Sequence, residues 1–331
     1  MVLRTEGNGR AVLVTGGAGY VGSHACKALA DAGWVPVAYD DLSTGWRDAV
    51  RYGPFEAGSV LDRATLDAVL ARHAPVAVMH FAAKTLVGEA VEKPGLYWRT
   101  NVCGTLTLLE AAVAAGVGAF VFSSTCAVYG EQDGLTLDEG SALAPKGAYG
   151  VTKRAAEDLL ADFEVAHGIR HVKFRYFNVA GADPSAEIGE RHEPETHLIP
   201  LVLQAVAGRR PELVVHGDDY DTPDGTAVRD YVHVTDLTRA HVAGLAWLLD
   251  GGESRTFNLG TGTGHSVREV IEAAGVITNR PVPHRVGPRR AGDAARLVSG
   301  SERAEADLGW VPERDLRAMI SDAWRWHEGR G

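Results

Sequence analysis

AVLVTGGAGYVG (residues 11–22) joins a β-branched run directly to three regularly spaced glycines. The first five residues read as a short buried strand, and residues 20–32 carry apolar side chains at helical spacing up to Gly33. Gly16, Gly19 and Gly22 fall between them, one every third position. Glycine there lets the backbone turn tightly and approach a pyrophosphate, while the following helix N-terminus offers N–H groups and a partial positive charge. A bare glycine triplet is also compatible with an ordinary turn. The flanking strand and helix favour the phosphate cradle, and so does Asp40, which ends the next strand-like run, VPVAYD (35–40). A carboxylate at that point accepts hydrogen bonds from adenosine ribose hydroxyls and repels a 2′-phosphate, so NAD is expected rather than NADP. Asp41 either shares that role or faces solvent.

Outward from this unit the alternation continues. A helix begins near Asp62, an N-cap residue type. VAVMHFA (76–82) is a continuous apolar run of the kind buried on both faces. A helix is expected over about 95–115, stopping at Gly116, then a strand at AFVFSS (119–124), a helix at 149–167 and a strand at HVKFRYF (171–177). Strands alternating with helices imply parallel strands joined by right-handed crossovers, hence an α/β, doubly wound parallel sheet of the Rossmann type. After residue 180 the pattern changes. Residues 181–197 and 217–230 are rich in Gly, Pro, Asp and Glu, with a helix at 198–208, strands at 212–217 and 255–260, and a capping box, Ser266 to Glu269, opening a further helix. The expected division is a dinucleotide-binding domain over 10–180 plus about 232–260, and a smaller α/β substrate domain over about 181–231 and 261–331.

The chain of 331 residues is 45% apolar with a net charge of −10, enough for a substantial core and unfavourable for nucleic acid or an anionic membrane. Its three cysteines (Cys26, Cys103, Cys126) form no disulfide framework and fit a reducing cytoplasm. No signal-peptide pattern or membrane-length apolar run is visible.

Tyr149 and Lys153 place a phenol and an ammonium at i and i+4, one helical turn apart. A nearby ammonium favours phenolate and lowers a tyrosine pKa from about 10, making Tyr149 a candidate general base toward a sugar hydroxyl. SSTCAVYG (123–130) ends the fifth strand, at the strand ends where such sheets place ligands, so Thr125 or Ser124 is expected to bond the same oxygen.

TGGAGYVG, YDDL, HFAA with VGEAVEKP, NVCGT, SSTCAVYG, AYGVTK, RYFNVAGADP, ETHLIP, DGTAVRDYVHVTDL, FNLGTG and PRRAGD occur in order over some three hundred residues. In these motifs the chain resembles the extended short-chain dehydrogenase/reductase family, in its branch of UDP-glucose (UDP-galactose) 4-epimerases. The resemblance implies a bound NAD, inversion of carbon 4 of a UDP-sugar through a transient 4-keto sugar, Tyr149, Thr125 and Lys153 as catalytic residues, and a homodimer built on helices 104–115 and 149–167. It places Gly16, Gly19, Tyr20, Val21, Gly22, Asp40, Asp41, Ser59, Val60, Phe81, Ala82, Ala83, Asn101, Ser123 and Tyr176 around NAD with Tyr149 and Lys153. It places Asn178, His197, Leu198, His216, Arg229, Tyr231, Arg290, Asp293 and Leu297 around the UDP-sugar with Thr125 and Tyr149. Two guanidiniums suit a diphosphate because each bonds two oxygens at once.

The chain departs from the family pattern at several points. Ser59 stands where an acidic residue usually holds the adenine amine, leaving Asp62 as a substitute. His197 stands in the uridine pocket where many relatives have Asn, and His216 near the uracil where Phe is frequent. Leu297, intermediate in size beside the sugar's 2-substituent, leaves glucose/galactose, N-acetylhexosamine and pentose substrates open. The alternatives on the same scaffold are a net reductase and a 4,6-dehydratase; the latter needs an acid and base after Thr125, where this chain has Cys126 and Ala127. A non-catalytic NAD-binding protein has no use for Thr125, Tyr149 and Lys153 together. No metal site is expected: His192 and His197 are five residues apart with Pro194 between them, so on a helix they occupy different faces. Cys126 reads as a small buried residue.

Overall fold

The computed structural model describes residues 7–130, 132, 136–290 and 293–329. The first half runs β1 (Ala11–Thr15), α1 (Tyr20–Asp31), β2 (Val35–Asp40), β3 (Phe55–Ala57), α2 (Arg63–His73), β4 (Ala77–His80), α3 (Val87–Glu92), α4 (Pro94–Tyr97), a π-helical turn at Trp98–Cys103, α5 (Gly104–Ala114) and β5 (Ala119–Ser123). A 3₁₀ turn at Cys126–Tyr129, β6 (Thr136–Leu137), α6 (Gly147–His167), β7 (Arg170–Tyr176) and β8 (Asn178–Ala180) follow. The remainder comprises α7 (Leu198–Val206), β9 (Leu213–His216), β10 (Val228–His233), α8 (Val234–Leu249), β11 (Arg255–Leu259), β12 (Gly264–Ser266), α9 (Val267–Thr278), β13 (His284–Gly287), β14 (Arg296–Ser299), α10 (Glu302–Leu308) and α11 (Leu316–Glu328).

Seven strands form one sheet in the order β3-β2-β1-β4-β5-β7-β11, every neighbour parallel. The order reverses between β1 and β4. That is the switch point outside whose strand ends open α/β sheets bind ligands. The strands read as apolar runs because both faces are covered. One face carries α1 and α8, with Ala25, Leu29, Leu237, Ala240 and Leu245 in its core. The other carries α2, α5 and α6, with Leu66, Leu70, Leu108, Leu109, Ala156 and Leu160. The apolar face of α5 is thus spent on its own sheet. A second, smaller sheet runs β12-β10-β14-β6 with β8 added to β10, and β13 pairs with β9. Helices α7, α9 and α11 share a third core there, around Val202, Leu203, Val270 and Ile320. Among the described residues no helix is long and apolar enough to cross a membrane.

Local signals behaved as physical chemistry requires. Asp62 caps α2 by accepting from Thr65 N at 3.2 Å, Gly168 closes α6 in the left-handed conformation, and the Ser266–Glu269 capping box is closed at both ends. The helix expected over 95–115 differs: it is α4, the π-helical turn and α5 in succession. The extra residue per turn buries Asn101, whose amide bonds Lys84 N (2.8 Å), Lys84 O (3.0 Å) and Thr152 Oγ1 (3.2 Å). This π-turn therefore ties the loop after β4 to α6, a use typical of such bulges.

Candidate active site

Gly16 adopts a left-handed φ of +74°, and a Cβ there would lie 2.6 Å from Ala82 N. A Cβ on Gly22 would lie 2.0 Å from the Gly16 carbonyl oxygen. The loop is therefore closed on itself and on Phe81 and Ala82 by backbone contact that no side chain permits. Gly19 N-caps α1 without a side-chain hydrogen bond, and no acidic residue lies in the first turn. The amides at the start of α1, including those of Tyr20 and Val21, thus remain available to an anion. Asp40 is buried at the end of β2. It accepts from Ala18 N at 3.0 Å and Leu42 N at 2.8 Å. Burial raises its pKa against those two amides, and each carboxylate oxygen retains a further acceptor site. Glycine contacts, uncapped helix and poised carboxylate together fit the diphosphate and ribose of NAD.

Some assigned residues have other work. Asp41 is exposed and caps Ser43 N at 2.9 Å. Ser59 accepts the Tyr39 hydroxyl on its carbonyl at 2.8 Å. Asp62, the suggested replacement for the missing acid, is committed to the N-cap of α2. Val60 is buried against Gly104, whose Cβ would lie 2.7 Å from it.

At the C-terminal end of β5, Thr125 starts the 3₁₀ turn and accepts Ala127 N at 3.1 Å. Tyr149 and Lys153 rise beside it on α6. Burial pushes the Tyr149 phenol up to about 12, with the Thr125 hydroxyl opposing. Burial pushes the Lys153 ammonium down to about 7, with the Glu157 carboxylate opposing. Lys153 Nζ donates to Ser123 O at 2.7 Å and lies 4.8 Å from the Phe122 ring centroid. The expected lowering of the Tyr149 pKa by Lys153 is not what this structure gives: the Lys153 proton is directed at a backbone carbonyl, and desolvation dominates the phenol. Ser124 is likewise engaged, donating to Glu157 at 2.6 Å, so Thr125 is the hydroxyl left facing Tyr149. The Ser123 and Tyr176 hydroxyls are hydrogen bonded to each other.

Sequence reasoning missed the support beneath this pair. Glu157, fully buried, takes Arg175 Nε at 2.9 Å, and Arg175 also reaches the Tyr129 hydroxyl at 3.0 Å. Burial raises the Glu157 pKa, yet Arg175 and Ser124 hold it below the ordinary range. Its position four residues beyond Lys153 was the available signal.

The second group of residues gathers on β10 and its neighbours. Asn178 pairs with Tyr231 across β8–β10, and Leu297 of β14 is in register with Arg229. Arg229 is ion-paired with Asp293, and Asp293 N donates to Arg290 O at 3.3 Å. Ala291 and Gly292 of that turn lie outside the described residues. His216 Nδ1 lies 3.4 Å from Pro288 O, and burial, then the nearby Arg290, lowers its pKa. Leu198 opens α7 and packs on the third core.

The ring Nδ1 of His197 lies 2.9 Å from Glu195 and 3.2 Å from Glu190. Residues 191–196 are irregular chain, so the helical-face argument against His192 and His197 meeting does not apply; their ring centroids lie 4.7 Å apart.

Comparison with known proteins agrees with this geometry. The NAD dependent epimerase/dehydratase family matches residues 12–260. UDP-glucose 4-epimerase of Rhizobium meliloti is 52% identical over 96% of this chain and 97% of its own length. The crystal structure of UDP-glucose 4-epimerase from Brucella ovis in complex with NAD superposes with a TM-score of 0.94 at 49% identity, covering 96% of this chain and 98% of that one. A Stenotrophomonas maltophila UDP-glucose-4-epimerase structure with bound NAD and formylated UDP-arabinopyranose gives a TM-score of 0.94 at 42% identity, covering 97% and 98%. The extent of these matches, with the glycine cradle and the Tyr149–Lys153 pair in place, establishes that the chain belongs to the NAD dependent epimerase/dehydratase family.

Proposed function

We propose that the protein inverts carbon 4 of a UDP-sugar, interconverting UDP-glucose and UDP-galactose with NAD as resident cofactor. The observation that carries this reading is the Tyr149 phenol facing the Thr125 hydroxyl at the end of β5, with Lys153 one turn on. When bound, NAD supplies a hydride acceptor for carbon 4 and a positive ring charge that favours the Tyr149 phenolate. Tyr149 takes the proton from the sugar's 4-hydroxyl and returns it to the 4-keto sugar after the hexose has turned over. Thr125 holds that oxygen in line, and Lys153 anchors the end of β5 and, when charged, favours the phenolate. Gly16, Gly19, Gly22 and Asp40, with the Phe81–Ala83 segment, Ser123 and Tyr176, form the cofactor side in residues 10–180 and about 232–260. Arg229, Arg290 and Asn178 grip the uridine diphosphate from the other part of the chain, and Asp293 aims Arg229. Inversion requires that the hexose be held less firmly than its nucleotide, so that it rotates while the nucleotide stays fixed.

Elimination of water is disfavoured by the positions after Thr125. Cys126 is fully buried and burial drives its thiol well above the ordinary range, and Ala127 has no ionisable group. Leu297, half-buried and in register with Arg229, is intermediate in size and selects neither a hexose nor an N-acetylhexosamine. A homodimer involving α6 is supported by Val165, which is 90% exposed. The function is tested by incubating the purified protein, without added cofactor, with UDP-galactose, UDP-N-acetylglucosamine and UDP-arabinose separately. Conversion of UDP-galactose to UDP-glucose is expected. No 4-epimer from any of the three, even after NAD is supplied, overturns the reading.

A further inference from the structure

The segment between β8 and α7 crosses the cofactor cradle and carries four metal-ligating side chains that the proposed reaction does not use. Glu190, His192, Glu195 and His197 each offer one ligand atom, all within 4.8 Å of one another, and no other such group occurs among the described residues. Nδ1 of His192 lies 3.5 Å from Glu190 and 3.5 Å from Glu195. Nδ1 of His197 lies 3.2 Å and 2.9 Å from the same two carboxylates. A tetrahedral zinc ion with bonds of about 2.0–2.2 Å spaces its ligands by roughly 3.3–3.5 Å. The four nitrogen-to-oxygen separations bracket that spacing.

Two features point to a cation site. The Glu190 side chain is 5% exposed, and the Nδ1 atoms of His192 and His197 lie 3.5 Å and 3.2 Å from its carboxylate. The His192 Nδ1 atom is buried and lacks a hydrogen-bond partner. It faces the same small space as the Glu190 carboxylate, where an unsatisfied polar atom is costly. Two carboxylates and two neutral imidazoles sum to a charge of −2, which one divalent ion cancels. Paired imidazoles select a borderline ion of the zinc class over magnesium or calcium, which take oxygen ligands.

We propose that Glu190, His192, Glu195 and His197 bind one zinc-class divalent ion as a structural site. Four protein ligands close the shell, as in structural rather than catalytic zinc sites. The ion fixes a segment already tied to the dinucleotide half: the Tyr20 hydroxyl donates to Gly181 O at 2.7 Å and Trp46 Nε1 to Arg191 O at 3.1 Å. The Arg191 guanidinium lies 3.7 Å from the Trp46 ring centroid. A bound ion therefore clamps the two parts of the molecule beside the phosphate loop.

The test uses the full chain, stripped with a chelator and titrated calorimetrically with zinc, magnesium and calcium, with metal content counted by mass spectrometry. One zinc per chain and a raised melting temperature are expected, with no comparable effect of magnesium or calcium. His192→Ala and Glu190→Gln each weaken zinc binding by about 100-fold or more, since losing even an outer-shell partner costs 10- to 100-fold. Cobalt added to the stripped wild type gives the intense visible bands of a tetrahedral site, a readout that needs no variant. Absence of stoichiometric zinc, unchanged binding in the two variants, or the weak cobalt spectrum of an octahedral surface site overturns the proposal and leaves the cluster as plain ion pairs.

Discussion

In the proposed reading the two ligand-facing regions are built from different materials. The cofactor side is backbone: Gly16 and Gly22 pack against main-chain atoms, and helix α1 presents amides. The nucleotide-sugar side is side chain: Arg229, Asp293, Arg290 and His216 stand on short strands and a turn. A cradle of main-chain atoms suits a resident cofactor, and charged side chains suit a substrate that must bind and leave.

The comparison breaks first at the proton-transfer pair where the two regions meet. Tyr149→Phe is expected to leave NAD bound and to slow turnover about 10²- to 10⁴-fold, the scale of general-base loss. Steady-state kinetics with the cofactor content measured in parallel checks this; an unchanged rate removes Tyr149 from the mechanism. Gly22→Ala next tests the backbone side. Its methyl meets the Gly16 carbonyl at 2.0 Å, and overpacking of this kind costs about 1–3 kcal/mol. Protein purified from this variant should have lost much of its NAD, read from the absorbance of the denatured supernatant. Arg229→Ala tests the side-chain side. Loss of charge-assisted bonds worth about 1.5–3 kcal/mol should raise KM for the UDP-sugar about 10- to 100-fold with kcat and NAD content nearly unchanged. A fall in kcat alone would place Arg229 in the chemistry instead.

The smallest effect concerns stability. Lys153 is lowered from 10.5 to about 7 by burial. Between those values the unfolded chain binds the proton and the folded one does not, so stability attributable to Lys153 rises with pH across that window. Urea midpoints measured from pH 7 to pH 9 should rise more steeply in the wild type than in Lys153→Met. Equal slopes would show that Lys153 keeps its charge in the folded protein.

What was legible in the sequence was local. The glycine cradle, Asp62 as N-cap, the Ser266 capping box and the strand runs 35–40 and 119–124 depend on neighbours a few residues away, and each emerged nearly in place. Helix α8 was not read because it is buried on most sides, at Leu237, Ala240, His241, Gly244 and Leu248 among others, which blurs the amphipathic stripe that spacing detects. The spacing of Tyr149 and Lys153 set both on one face of α6, yet not where Nζ points; that depends on the Ser123 carbonyl, thirty residues earlier. The Glu157–Arg175 pair and the His192–His197 encounter likewise arise from tertiary packing and irregular chain, where periodicity carries no information.

The central claim is that one resident nicotinamide removes and returns the same hydrogen while Tyr149 handles the proton. It is tested most directly by supplying UDP-galactose deuterated at carbon 4 to the purified protein without added cofactor. The account predicts UDP-glucose that retains deuterium at carbon 4 with no accumulation of reduced cofactor. Deuterium lost to solvent, or stoichiometric reduction of the bound cofactor with release of a keto sugar, would contradict it.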